Sequence, residues 1–175
     1  MIVWIDGTFG AGKTAVANEL RNRYPESDVI EFDEFVNSVQ PENLMEIIAG
    51  RRFPEDKPCY VNAFIAELER KLNQNDKGYN IIPIALITDY CRIGLVENFK
   101  KKTETVHIIL CQSKERLLER IKNQSGRDVD HAITYYDEAT LYLKENYSEA
   151  IRINTDDKSI EEVADCIEKH INNRR

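Results

Sequence analysis

Apolar residues fall into short runs and helical stripes that alternate along the whole chain. Ile2 to Ile5 is an unbroken apolar run, short enough for a buried strand. Val16, Leu20 and Tyr24 then recur at helical spacing from Thr14 onward, and Tyr24-Pro25 closes that helix. Asp28 to Asp33 reads as a second strand, and Glu31 within it places the strand at a sheet edge. Residues from Val36 to Gly50 predict one or two short helices, and 51–58 form a charged loop bounded by Pro54 and Pro58. Tyr60, Phe64, Leu68 and Leu72 share one stripe of a long helix ending near Asn73, and Asn75 to Gly78 is a turn. A third strand covers Ile81 to Ile87; Pro83 predicts a bulge, or regular pairing only from Ile84. Asp89 to Lys100 predicts a short helix and Thr105 to Cys111 a fourth strand. Ser113 caps a helix from Lys114 that carries Leu117, Leu118 and Ile121 and breaks at Asn123 to Gly126. A helix from about Asp130 to Glu145, a fifth strand at Ala150 to Asn154 and a last helix capped by Ser159 complete the chain. Strands separated by helices throughout predict an α/β fold with a parallel sheet covered on both faces, in one domain spanning residues 1–175.

The first strand runs into Gly7-Thr8-Phe9-Gly10-Ala11-Gly12-Lys13-Thr14, a P-loop pattern in the strand, glycine loop and helix context that the motif requires. The glycines allow successive backbone N–H groups to turn inward on a phosphate chain, and the following helix adds the positive end of its dipole. Lys13 supplies a compact cation for the β- and γ-phosphates, and the Thr14 hydroxyl suits magnesium. The pattern implies a nucleotide but not a reaction. A guanine-reading Asn-Lys-x-Asp motif is missing, and the third strand meets the acidic end of a motor ATPase only partly, in Asp89. A small-molecule kinase fits best: short, with a carboxylate after strand two and arginines after strand four.

Asp33 is the carboxylate. It suits either the proton of an acceptor hydroxyl or a magnesium-bound water, and the two roles stay open at this level. Arg116, Arg120 and Arg127 lie on or just after the helix that opens the lid region, about 113–130. An arginine there would neutralise the moving phosphoryl group or stack on a base. Arg116 and Arg120 share a helix face. Asn154 and Thr155, after strand five, sit where a base passes in open α/β sheets.

Bulk properties narrow the partners. A net charge of −7 argues against a nucleic-acid binder, whose affinity comes largely from neutralising phosphates. No apolar run approaches the ~20 residues of a membrane helix, and the N-terminus lacks the basic region of a signal peptide. The four cysteines show no close pairing, which reads as reduced thiols in a cytoplasmic protein. A monomer or a homodimer is expected.

The opening Ile-Val-Trp-Ile-Asp-Gly-Thr-Phe-Gly-Ala-Gly-Lys-Thr, with Trp4 and Phe9, resembles the P-loop of the tunicamycin-resistance protein family, within the wider chloramphenicol-phosphotransferase-like and shikimate/gluconate-kinase-like group. The resemblance continues in Ile82-Pro83-Ile84, in Ser113 to Arg120 and from Asn154 to Val163. It implies ATP as the nucleotide, magnesium as the ion, a nucleoside/nucleotide-kinase type of sheet with order 2-3-1-4-5, and Asp33 acting on an acceptor hydroxyl. It also implies an alternative, an ATP-dependent binding protein without phosphoryl transfer.

Overall fold

The computed structural model describes residues 1–38, 58–74, 78–122 and 129–172. Five strands form one sheet: β1 Ile2–Gly7, β2 Asp28–Val29, β3 Asn80–Pro83, β4 Thr105–Cys111 and β5 Ile151–Asn154. Every pairing is parallel and the order is β2-β3-β1-β4-β5, as expected. The central strand β1 is buried along its whole length, which is why it reads as an unbroken apolar run.

Alternation along the strands sends side chains to two cores. On one face Val3, Ile5, Ile81, Ile108 and Leu110 pack against α1 (Lys13–Arg23) and the C-terminal helix Ile160–Asn172. On the other, Ile2, Trp4, Ile82, Ile84 and Ile109 meet α2 (Phe32–Ser38), α3 (Pro58–Leu72) and a helical run α4. That run comprises Asp89–Cys91, a π-helical stretch Arg92–Glu97 and Asn98–Lys100. Helices α5 (Lys114–Lys122) and α6 (Val129–Asn146) follow β4, and the C-terminal helix is α7.

Two strands depart from the sequence expectation. The second lies at the edge as Glu31 required, but it is shorter than Asp28 to Asp33. Ile30 N–H makes one more bond to the Ile81 carbonyl, and then Phe32 turns inward onto Phe64, ring centroids 4.9 Å apart. Burying that ring pulls the chain off the sheet and starts α2, so Asp33 sits in the first turn of a helix. The third strand runs Asn80–Pro83 and not Ile81 to Ile87, and in place of a bulge, or of pairing only from Ile84, it keeps regular register through Pro83, which pairs with Ile5. The Asn80 and Ile84 amides point to β1, whereas the Tyr79 and Ile81 carbonyls serve β2. The N–H that proline lacks would therefore face the β2 side, opposite Ile30, so the β2–β3 ladder stops there while the pairing with β1 continues. The predicted helices within 39–50 and the loop with Arg51 and Arg52 lie outside the described residues.

Candidate nucleotide site

The loop after β1 closes through a hydrogen bond from Ala11 N–H to the Thr8 carbonyl, and Gly12 caps α1 with φ of 89°. Among the described residues no side chain caps that helix and its own first turn holds no acid, so the positive end of its dipole is turned to the loop. Lys13 folds back over the loop, its Nζ 3.0 Å from both the Gly7 and Thr8 carbonyls. The Thr14 hydroxyl donates to Glu31 Oε2 at 3.5 Å. Burial raises the Glu31 carboxyl above its usual range, and Glu34 and Asp33 add to the rise while Thr14 opposes it. A half-buried carboxylate in an acidic surround next to a threonine hydroxyl suits a hydrated divalent cation. Among the described residues no cluster of three His, Cys, Asp or Glu side chains could hold a metal alone, so phosphate oxygens would have to complete such a site.

Gly10, at φ of 80°, forms the bed of a second element. A Cβ placed on it would lie 2.7 Å from Leu117 Cδ1 and 3.1 Å from Ile121 Cδ1. Helix α5 thus rests directly on the loop, which only glycine permits. Leu117 and Ile121 are buried there, with Tyr136 of α6 packed against them. Phe9 stands at the crest, 39% exposed, and Ala11 is buried. Thr8 is buried too, and its hydroxyl has no hydrogen-bond partner among the described residues.

Helix α5 also carries Arg116 and Arg120 to the end of β5. Arg120 donates to Gln112 Oε1 at 2.9 Å, to Thr155 Oγ1 at 3.3 Å and to the Thr155 carbonyl at 2.5 Å. Burial and the neighbouring Arg116 lower its guanidinium pKa, against the pull of Asp156. Arg116 donates to the Asp156 carbonyl at 2.9 Å and pairs with Glu119 at 2.6 Å. Thr155 is buried beneath Arg120 and hydrogen-bonds the Cys111 carbonyl, while Asn154 Oδ1 accepts the Asp156 amide. The expected base-side residues therefore converge, but the Asn154 and Thr155 side chains shape their own loop. Arg127 lies outside the described residues. Asp33 is exposed at the start of α2, and the Thr14 bond goes to Glu31 instead. Asp89 is tied up elsewhere: the Tyr142 hydroxyl, 2.8 Å away, and then Arg92 draw its carboxyl below the usual range.

Sequence reasoning misses two groups at this site. Glu31 registers in the sequence only as a cost within a strand. Asp6, fully buried at the foot of the loop, accepts the Gly7 amide at 2.7 Å and the Leu86 amide at 3.0 Å on one oxygen. Its other oxygen lies 3.0 Å from His107 Nε2. A lone acid between an apolar strand and a P-loop is the signal that could have found it.

No protein-family model matches the chain, and no curated protein matches it. Solved structures do. The tunicamycin resistance protein of Deinococcus radiodurans superposes with a TM-score of 0.72 at 24% identity, over 97% of this chain and 94% of that one. A sugar kinase from Janibacter sp. gives 0.71 at 16% identity over 98% and 94%, and shikimate kinase from Aquifex aeolicus 0.64 at 18% over 99% and 98%. At such identities the likeness speaks for architecture alone. With the five-stranded parallel order and the glycine loop at the end of β1, the chain has the fold of the P-loop kinases.

Proposed function

We propose that the protein is an ATP-dependent kinase that transfers the γ-phosphoryl group to a hydroxyl of a small-molecule acceptor, as a cytoplasmic monomer or homodimer without nucleic-acid partners. The observation that carries this reading is the ordering of groups along one edge of the site. Lys13 lies over the loop, Thr14 and Glu31 form a polar pair beside it, and Asp33 comes two residues later with an exposed carboxylate. Lys13 and the loop amides would hold the phosphates. Thr14, with Glu31 behind a bound water, would hold magnesium, whose charge offsets that of the phosphates. Asp33 is then left to accept the acceptor's proton. Helix α5 would exclude water from above, with Arg116 and Arg120 on the base side.

Consumption of ATP with magnesium against nucleosides, sugars and nucleoside, phenicol and aminoglycoside antibiotics tests the reading, with Lys13→Ala as the blank. An accepted compound should raise turnover well above that blank. Asp33→Asn should lower turnover by about two to four orders of magnitude while ATP affinity holds. A second reading, nucleotide-dependent capture of a ligand without transfer, draws support from Arg120, which is committed to Thr155 and Gln112. ATP binding that depends on Lys13, with no acceptor turned over and no effect of Asp33→Asn, would favour capture.

A further inference from the structure

A cavity of about 440 Å³ opens at the amino edge of the sheet, opposite the glycine loop, between β4, α4 and the end of α6. Its volume lies within the range of small-molecule sites. Two residues of its wall reach inward to the base of the loop. His107 presents Nε2 to Asp6, which holds the Gly7 amide. Tyr147 donates its hydroxyl to the Leu86 carbonyl at 2.8 Å, and the Leu86 amide returns to the same Asp6. The two rings pack edge to face, centroids 4.6 Å apart. The contact with Asp6 uses Nε2, and Nδ1 is the ring's other nitrogen.

The mouth carries charge that is only loosely committed. Lys100 pairs with Glu149 at 2.6 Å, but their side chains are 62% and 81% exposed, so the pair is worth little and opens readily. Arg92 is held more firmly, by Asp89 and Glu97 together, at 26% exposure. Were Glu149 displaced, Lys100 would be left beside the imidazole, while Arg92 stays with Asp89 and Glu97. A ligand that takes Lys100 over from Glu149 must itself be an anion.

We propose that this cavity is an effector site for a small organic anion bearing a carboxylate or phosphate, coupled to nucleotide binding through His107–Asp6 and Tyr147–Leu86. An anion against Lys100 and His107 Nδ1 would set the imidazole between two acids and change its hold on Asp6, hence the position of the first loop amide. Coupling of this kind is reciprocal, so the anion must alter ATP affinity as ATP alters the anion's. The coupling rests on the nucleotide reading above; the cavity itself does not.

Trp4, the single tryptophan, is buried and pairs in register with His107, which makes its fluorescence a built-in reporter. Succinate and inorganic phosphate would be titrated in turn, first by Trp4 fluorescence and then by calorimetry of magnesium–ATP binding. At least one should give a saturable signal that survives Lys13→Ala and weakens about fivefold or more in Lys100→Glu, a surface change. The same anion should shift the ATP dissociation constant about fivefold in the unaltered protein and leave it unmoved in His107→Gln. Loss of the signal in Lys13→Ala would place the anion in the P-loop and overturn the proposal. So would an unchanged response in Lys100→Glu, or no response to either anion. An anion that binds in the cavity without moving ATP affinity overturns the coupling. If ATP does not bind at all, the nucleotide reading fails, while the Lys13→Ala and Lys100→Glu fluorescence series still decides whether the cavity takes an anion.

Discussion

Glu31 ties the stability of the fold to pH at the proposed magnesium site. Burial raises its carboxyl, so the folded state holds that proton more tightly than the unfolded chain does. The stability this provides is present below the ordinary carboxylate range and is lost as pH rises through the folded value. Glu31→Gln should therefore be the more stable protein at neutral pH, by a few tenths to about 1 kcal/mol, with the gain fading in acid. Magnesium with ATP should close the gap, because the cation compensates only the carboxylate. Parallel thermal melts from pH 4 to pH 8, with and without the ligand, check both. The glycine loop was legible at this scale because its chemistry demands particular residues at adjacent positions. The Glu31 role was not, since it depends on where β2 stops, and the burial of Phe32 sets that point. Asp6 and His107 are 101 residues apart, and no local pattern joins them.

Close approaches between elements are carried by glycines whose neighbours are far away in the chain. Gly10→Ala should strain a backbone at φ of 80° and push Leu117 aside, costing about 1–3 kcal/mol and loosening α5 from the loop. Its ATP affinity should fall in parallel, as titration calorimetry would show. At Gly78 a Cβ would lie 1.8 Å from the Glu26 carbonyl oxygen, which is backbone and cannot yield. Gly78→Ala should therefore cost about 3 kcal/mol or more, measured by urea denaturation, by prising the entry of β3 from the turn before β2. Element identity was readable along most of the described chain, because period and capping are local; Ser113 and Ser159 mark helix starts as expected. Ends were harder. Pro83 stands inside a strand because its missing N–H faces the edge strand and not β1, a fact of pairing that the residue itself does not carry.

At the scale of the molecule, the sheet separates two places that the chain visits in alternation: the loop at its carboxyl edge and the polar cavity at its amino edge. Alternating strands and helices were enough to infer parallel pairing. The cavity was hidden, because it exists only where three elements fail to meet. Ligand binding should act on the whole domain: magnesium–ATP at about 100 times its dissociation constant should add about 2.7 kcal/mol, or roughly 5–10 °C in the melting midpoint, and Lys13→Ala should abolish the shift.

The π-helical stretch Arg92–Glu97 lets one side chain, Arg92, pair with both Asp89 and Glu97. A π turn is an α-helix holding one residue too many. Deleting the half-exposed Ile93 would then regularise the helix and keep the phase of the later turns, so that Leu95 and Phe99 still face the core. An edit that derails an ordinary helix would here act as a repair, and its cost would fall on the Arg92 pairing and on the cavity that residue helps to line.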